Sequence, residues 1–155
     1  MAILLANSIA TSGTDKAITL LKKGSSSLDA IESGIRLVES DPNAGWVGYG
    51  GHPNLLGKVE LDAGIIDGAS LRAGAVGALS GYSHPISVAR KVMESLPHVF
   101  SVGDGAARLV GDCNAEVGDN LSSQSCEDWN NWLNKNRTIQ ETRNWPDANL
   151  IRLSM

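Results

Sequence analysis

Basic charge is scarce in this chain. Thirteen Lys and Arg stand against 17 Asp and Glu over 155 residues, a net charge of −4, and no basic stripe marks any segment. A nucleic-acid surface needs such a stripe to neutralise phosphates, so nucleic acid is not an expected partner. Long apolar runs are also missing. None approaches the roughly 20 residues that span a bilayer. The opening MAILLANSIA is apolar but short, and it lacks the basic segment of a secretion signal. It reads instead as a buried first strand, Ile3 to Asn7, in a cytoplasmic protein with no membrane contact. Cysteine is limited to Cys113 and Cys126, with no Cys-x-x-Cys and no histidine close by. Neither a zinc site nor a disulfide framework is indicated, and two reduced thiols are expected. Histidine occurs only at His52, His84 and His98. There is no Gly-x-Ser-x-Gly elbow, and spacing argues for no Ser-His-Asp grouping. The chain offers no credible nucleophile of its own.

What is present is a regular alternation of helical and strand-like patterns. TSGTDKAITLLKKG reads as a helix with Thr14 at its N-cap and Gly24 at its end. SSSLDAIESGIRLVESDP reads as a second, capped by Ser27, with Leu28, Ile31, Ile35 and Val38 on one face. Asp41-Pro42 stops it, because proline disfavours a helical residue before it. Asp67-Gly68 lies between two apolar runs, a hairpin signal. Small residues in those runs, among them Ala63, Gly64, Ala73, Gly74, Ala75 and Gly77, permit another layer to approach closely. HPISVARKVMESLP is the clearest helix, with Pro85 in its first turn and Val88, Val92 and Leu96 on one face. A strand, HVFSVG, and a short helix, DGAARLVG, follow. SQSCEDWNNWLNKN reads as a surface helix burying Trp129, Trp132 and Leu133. From Arg137 the chain has no clean period and reads as an extended or mobile tail. The order of elements favours an antiparallel sheet with helices outside it, over a parallel βαβ sheet.

The stretch GWVGYGGHPN, Gly45 to Asn54, holds four glycines in ten residues. Such density marks a backbone that something must approach closely. A phosphate loop is a poor match: there is no Gly-x-Gly-x-x-Gly, no Gly-Lys-Ser/Thr and no helix opening behind it. No cofactor is indicated. Asp62 and Asp67 are a conceivable acid/base pair, but Asp67 belongs to the turn, and backbone hydrogen bonds are the simpler use of Asp62. His84 beside a helix start and His98 beside a strand start read as structural.

Five segments occur in order: AIESGIRLVESDP, VGYGGHPN, VELDAGIIDG, RAGAVGAL and HPISVARKVMESLPHVFSVGDGA. Together they resemble the first half of the glycosylasparaginase and isoaspartyl peptidase family of N-terminal nucleophile hydrolases, from about Ile3 to Leu133. Val47-Gly-Tyr-Gly-Gly is nearer the glycosylasparaginase form. The resemblance implies an α+β fold, a four-layer αββα sandwich completed by a second, β chain. Residues 1–136 would be the α-subunit portion of one domain, and 137–155 a tail near an autoprocessing junction at Met155. It implies a threonine nucleophile at the start of the β chain, acting on a small-molecule amide, and pairing of αβ units into (αβ)2. Thr11, Thr14, Thr19, Thr138 and Thr142 lack the junction context, so none is offered as that nucleophile. Ser8, Trp46, Gly48 and Gly50 would form the substrate-pocket wall.

Two departures from the family pattern stand out. The family places tryptophan where this chain has Ser8, and serine where it has Trp46. Such an exchange would move a large side chain from one wall of the pocket to another while roughly keeping its volume; independent drift is the alternative. The chain also ends IRLSM, without the His-Asp pair that precedes the family's cut.

Overall fold

The computed structural model describes residues 2–45, 47–111 and 116–136. Helices α1 (Thr11–Lys22) and α2 (Ser27–Glu39) form an antiparallel pair. It is joined to a hairpin of β1 (Leu61–Asp67) and β2 (Arg72–Leu79). Helix α3 (Pro85–Ser95), strand β3 (Phe100–Val102) and helices α4 (Asp104–Val110) and α5 (Ser123–Asn136) follow. The sheet order is β1-β2-β3.

The expected antiparallel arrangement holds for β1 and β2 only. Strand β3 runs parallel to β2, with Val76 opposite Ser101. Helix α3 makes the crossover that parallel neighbours require, so β2-α3-β3 is a βαβ unit inside an α+β fold. The hairpin loop is four residues, 68–71, and longer than an Asp-Gly turn. The Asp67 carboxylate closes it by accepting the amides of Ala69 and Ser70.

The first strand expected from Ile3 to Asn7 is not formed. A strand exists only against a neighbour, and none of the described strands pairs with this segment. Ile3 and Leu5 are 82% and 94% exposed. Helix starts also shift. Asn7 Oδ1 accepts the Ala10 amide and caps a single 3-10 turn, Ser8–Ala10, which runs straight into α1 at Thr11. Thr14 therefore lies inside the helix, where its hydroxyl donates to the Ala10 carbonyl. Ser26, not Ser27, caps α2 by accepting the Asp29 amide. On α5 Leu133 is buried as expected, but Trp132 is half exposed. The tail from Arg137 lies outside the described residues.

The core sits between the hairpin and α3. Val76, Leu79, Ile86, Val88, Ala89 and Val92 are each at most 1% exposed. Full burial of one branched aliphatic side chain contributes about 1.5–3 kcal/mol. Gly74 lets α3 sit directly on β2, for a Cβ there would stand 2.7 Å from Met93 Cβ. Arg90 ties α3 to α2 with Nη1 2.7 Å from both Asp29 and Glu32, while its Nε meets Glu94. Burial works against the guanidinium charge, but these hydrogen bonds outweigh it and hold Arg90 protonated. No described helix is long and apolar enough to cross a membrane.

Candidate functional site

The glycine stretch answers first to the protein's own backbone. Gly45, Gly48 and Gly50 all have positive φ. A Cβ on Gly48 would lie 2.5 Å from the Glu39 carbonyl carbon, so only glycine fits there. The next amide, Tyr49, donates to the Glu39 carbonyl at 2.7 Å. Gly50 is held on the other side: its amide donates to the Asn120 carbonyl at 2.8 Å, and its carbonyl accepts the Ser125 hydroxyl at 2.7 Å. The loop is thus clamped between the end of α2 and the start of α5.

The free side of this loop borders a cavity of about 460 Å³. Its walls come from Asn7, Ile9 and Ala10 ahead of α1, Glu39 at the end of α2, and Val47 and Gly48 of the loop. Glu60 to Gly64 and the first residues of α3, Pro85 and Ile86, complete it. Mixed polar and apolar walls of this size suit a small molecule.

Two strained backbone positions adjoin residues that line it, Ala78 through Asp62 and His84 through Pro85. The β1–β2 register slips between Leu61 and Ala63, which leaves Gly77 and Ala78 together opposite Asp62. Ala78 has a φ of 50°, and the bulge is held by Asp62 Oδ1, which accepts the Ala78 amide at 2.8 Å. Bulges beside functional sites redirect strands in this way. His84, at φ 58°, precedes α3. It is buried, with Nδ1 3.5 Å from Glu39 Oε2. That distance is long for a hydrogen bond, and neither atom has another partner among the described residues. The other Glu39 oxygen accepts the Ile86 amide at 3.1 Å. Burial raises the Glu39 carboxyl above the usual glutamate range, against the opposing pull of His84 and the Ile86 amide.

Of the expected wall residues, Gly48 lines the cavity. Ser8 lies between two residues that line it, Asn7 and Ile9. The Ser8 carbonyl accepts the Thr11 hydroxyl at 2.6 Å. Gly50 faces away, toward Pro42 and Ser122. Trp46 and Met155 lie outside the described residues. Asp62 and Asp67 form no acid/base pair: each serves the backbone, Asp62 at the bulge and Asp67 in the turn. His84 is buried beside Glu39 at the start of α3, and His98 is exposed.

Sequence reasoning missed Glu39 and Asn7. Glu39 follows Ile35 by four positions and so falls on the apolar face of α2, and a glutamate on that face is the signal that was available. Asn7 left a weaker one, an N-cap residue type three positions before Ala10.

Comparison with known proteins adds a family. The family model described as Asparaginase matches residues 8–150. An N(4)-(β-N-acetylglucosaminyl)-L-asparaginase of Elizabethkingia miricola is 44% identical over 118 residues, 76% of this chain and 34% of the relative. A plant-type L-asparaginase of Thermococcus kodakarensis is 40% identical over 131 residues, 83% of this chain and 42% of the relative. An isoaspartyl peptidase/L-asparaginase of Rattus norvegicus is 40% identical over 109 residues, 70% and 32%. The chain spans about a third to two-fifths of the length of these relatives.

Proposed function

Because the chain belongs to the Asparaginase family, we propose that it is the α portion of an N-terminal nucleophile amidohydrolase. Its substrate is an asparagine derivative cut at the side-chain amide, N4-(β-N-acetylglucosaminyl)-L-asparagine first among them, by similarity to the Elizabethkingia relative. The nucleophile is the N-terminal threonine of a β chain. Its hydroxyl attacks the amide carbonyl, its own α-amine takes the proton, and the amine side of the bond leaves as an ester forms. Water then releases aspartate. Donors facing the carbonyl oxygen stabilise both tetrahedral intermediates.

The observation that carries this reading is the cavity beside Gly48. Asn7 and Ile9, which flank Ser8, and Val47, which follows Trp46, line the same cavity. That convergence supports a pocket shared by Ser8 and Trp46, in which the indole fills space from the loop side.

The second layer of the αββα sandwich has its own support. On the sheet face away from α3, Ile66, Phe100 and Val102 are 72%, 56% and 50% exposed, beside Gly64, Ala73 and Ala75. An apolar sheet face of this kind needs a partner layer, and we assign it to the β chain, with two αβ units forming the particle.

N-terminal sequencing of the purified protein should find a second chain beginning with threonine. A single chain starting at Met1 with full amidase activity would overturn the assignment. The similarity to the rat isoaspartyl peptidase/L-asparaginase keeps a second substrate class in view. Release of aspartate from the glycosylated asparagine, L-asparagine and a β-aspartyl dipeptide decides between them. No turnover of any of the three would leave a non-catalytic binding protein. For the pocket wall, Trp46→Ser should raise KM more than it lowers kcat, and adding Ser8→Trp should recover part of the loss. Strictly additive losses would count against a shared pocket.

A further inference from the structure

Three elements of the cavity wall come from distant parts of the chain: the end of α2, the glycine loop and the start of α3. One residue touches all three. The Glu39 carbonyl accepts the Tyr49 amide, and its backbone excludes any side chain at position 48. Its Oε1 accepts the Ile86 amide, 47 positions away. Its Oε2 faces His84, whose left-handed backbone turns the chain into α3.

We propose that Glu39 is a positioning residue for the pocket: through the Tyr49 and Ile86 amides it sets the spacing between the glycine loop and the α3 start, and so the fit of the bound amide. This rests on the function proposed above. A buried carboxylate is costly wherever its oxygens lack partners. Glu39 lies at the junction of the segments that border the cavity, and each of its hydrogen bonds ends on one of them. The side chain needs an acceptor at Oε1 and a small polar group at Oε2. Glutamine supplies both, whereas alanine leaves the Ile86 amide and His84 without partners in a buried place.

The test compares Glu39→Gln, Glu39→Asp and Glu39→Ala in the whole protein, by steady-state kinetics and by amide hydrogen exchange. Glu39→Ala should raise KM about tenfold while kcat falls less than about threefold, the pattern of lost ground-state fit. Glu39→Gln should restore KM to within about twofold of the parent. Glu39→Asp, one methylene short, should lie between, and it decides the matter if the alanine variant does not fold. Exchange in residues 47–51 and 84–88 should rise together in the alanine or aspartate variant, with the hairpin 61–79 unchanged. An unchanged KM, a glutamine variant as impaired as alanine, or exchange that rises throughout the chain would overturn the proposal. If the parent hydrolyses none of the three amides, the functional reading has failed, and the paired exchange response alone upholds or overturns the role of Glu39 in spacing the two segments.

Discussion

Gly13 of α1 and Gly34 of α2 meet backbone to backbone: a Cβ on Gly13 would stand 2.6 Å from the Gly34 carbonyl carbon. The two helices can cross this closely only because both positions lack a side chain. In an exposed helix, Gly→Ala stabilises by about 1 kcal/mol. Here the sign should reverse. Gly13→Ala should destabilise by about 1–3 kcal/mol, the cost of overpacking a tight contact. Gly34→Ala, whose Cβ would meet Gly13 O at 3.0 Å, should cost less. Urea unfolding of the two variants checks this. A stabilised Gly13→Ala would mean that the helices have room between them.

Two glycines of the loop separate conformation from space. Gly45 and Gly48 both have positive φ, at 68° and 60°. A Cβ on Gly45 meets nothing nearer than Asn43 O at 3.9 Å, whereas on Gly48 it enters the Glu39 backbone. Gly45→Ala should cost about 1 kcal/mol, the left-handed penalty alone. Gly48→Ala should cost at least about 3 kcal/mol, in the range reserved for overpacking with backbone strain. Equal melting temperatures for the two variants would argue against the clamp on Glu39.

Glu39 should also mark the pH dependence of stability. Burial raises its folded carboxyl above the ordinary 4.5. The native state therefore holds this proton more tightly than the unfolded chain does. Its contribution is fully present below about 4.5 and is lost as pH rises through the raised folded value. His84 and Arg36 pull in the opposite direction without reversing the shift. Glu39→Gln cannot lose a proton, so its stability relative to the parent should grow as pH rises from 4.5 to 7.5. Denaturant melts across that window read the difference, and a difference that shrinks would assign the ionised carboxylate a net stabilising role.

Arg90 joins three carboxylates at the α2–α3 surface, where it is 21% exposed and Asp29 and Glu94 are about half exposed. Solvent screens such pairs, so each contributes only about 0.2–1 kcal/mol. Arg90→Gln should destabilise by about 1–2 kcal/mol at low salt. The loss should shrink toward zero in 1 M salt, where the screening length falls to about 3 Å. A loss independent of salt would place the effect in packing of the arginine stem.

Local chemistry made some elements legible and long-range geometry hid others. Pro85 at the first turn and the Val88, Val92 spacing marked α3 because both signals lie within the helix itself. Asp67 marked the hairpin for the same reason. The parallel pairing of β3 was hidden, since three residues, Phe100–Val102, carry no information about which neighbour they meet or in which direction. The expected strand at Ile3 to Asn7 failed likewise, for its apolar residues have no described strand to join. At the site, the glycine stretch announced a close approach, but not that the approaching group was the carbonyl of Glu39. The resemblance to a known family set the expectation of a pocket wall at Ser8 and Gly48; Gly48 lines the cavity, and Ser8 lies between two residues that do. Composition and periodicity alone would have left that pocket unfound.

The link from Glu39 to Ile86 spans 47 positions, whereas the α1–α2 pair and the β1–β2 hairpin close over short stretches of chain. Short closures form early in folding, and distant ones wait for them. The link from the end of α2 to the start of α3 is therefore expected to form late, after the folding transition state. Weakening it should quicken unfolding and leave the folding rate nearly untouched. In a chevron plot, Glu39→Asp should lift the unfolding arm alone, while Gly13→Ala, inside the early helix pair, should lower the folding arm. The cavity wall would then be the first part of the fold to open and the last to close.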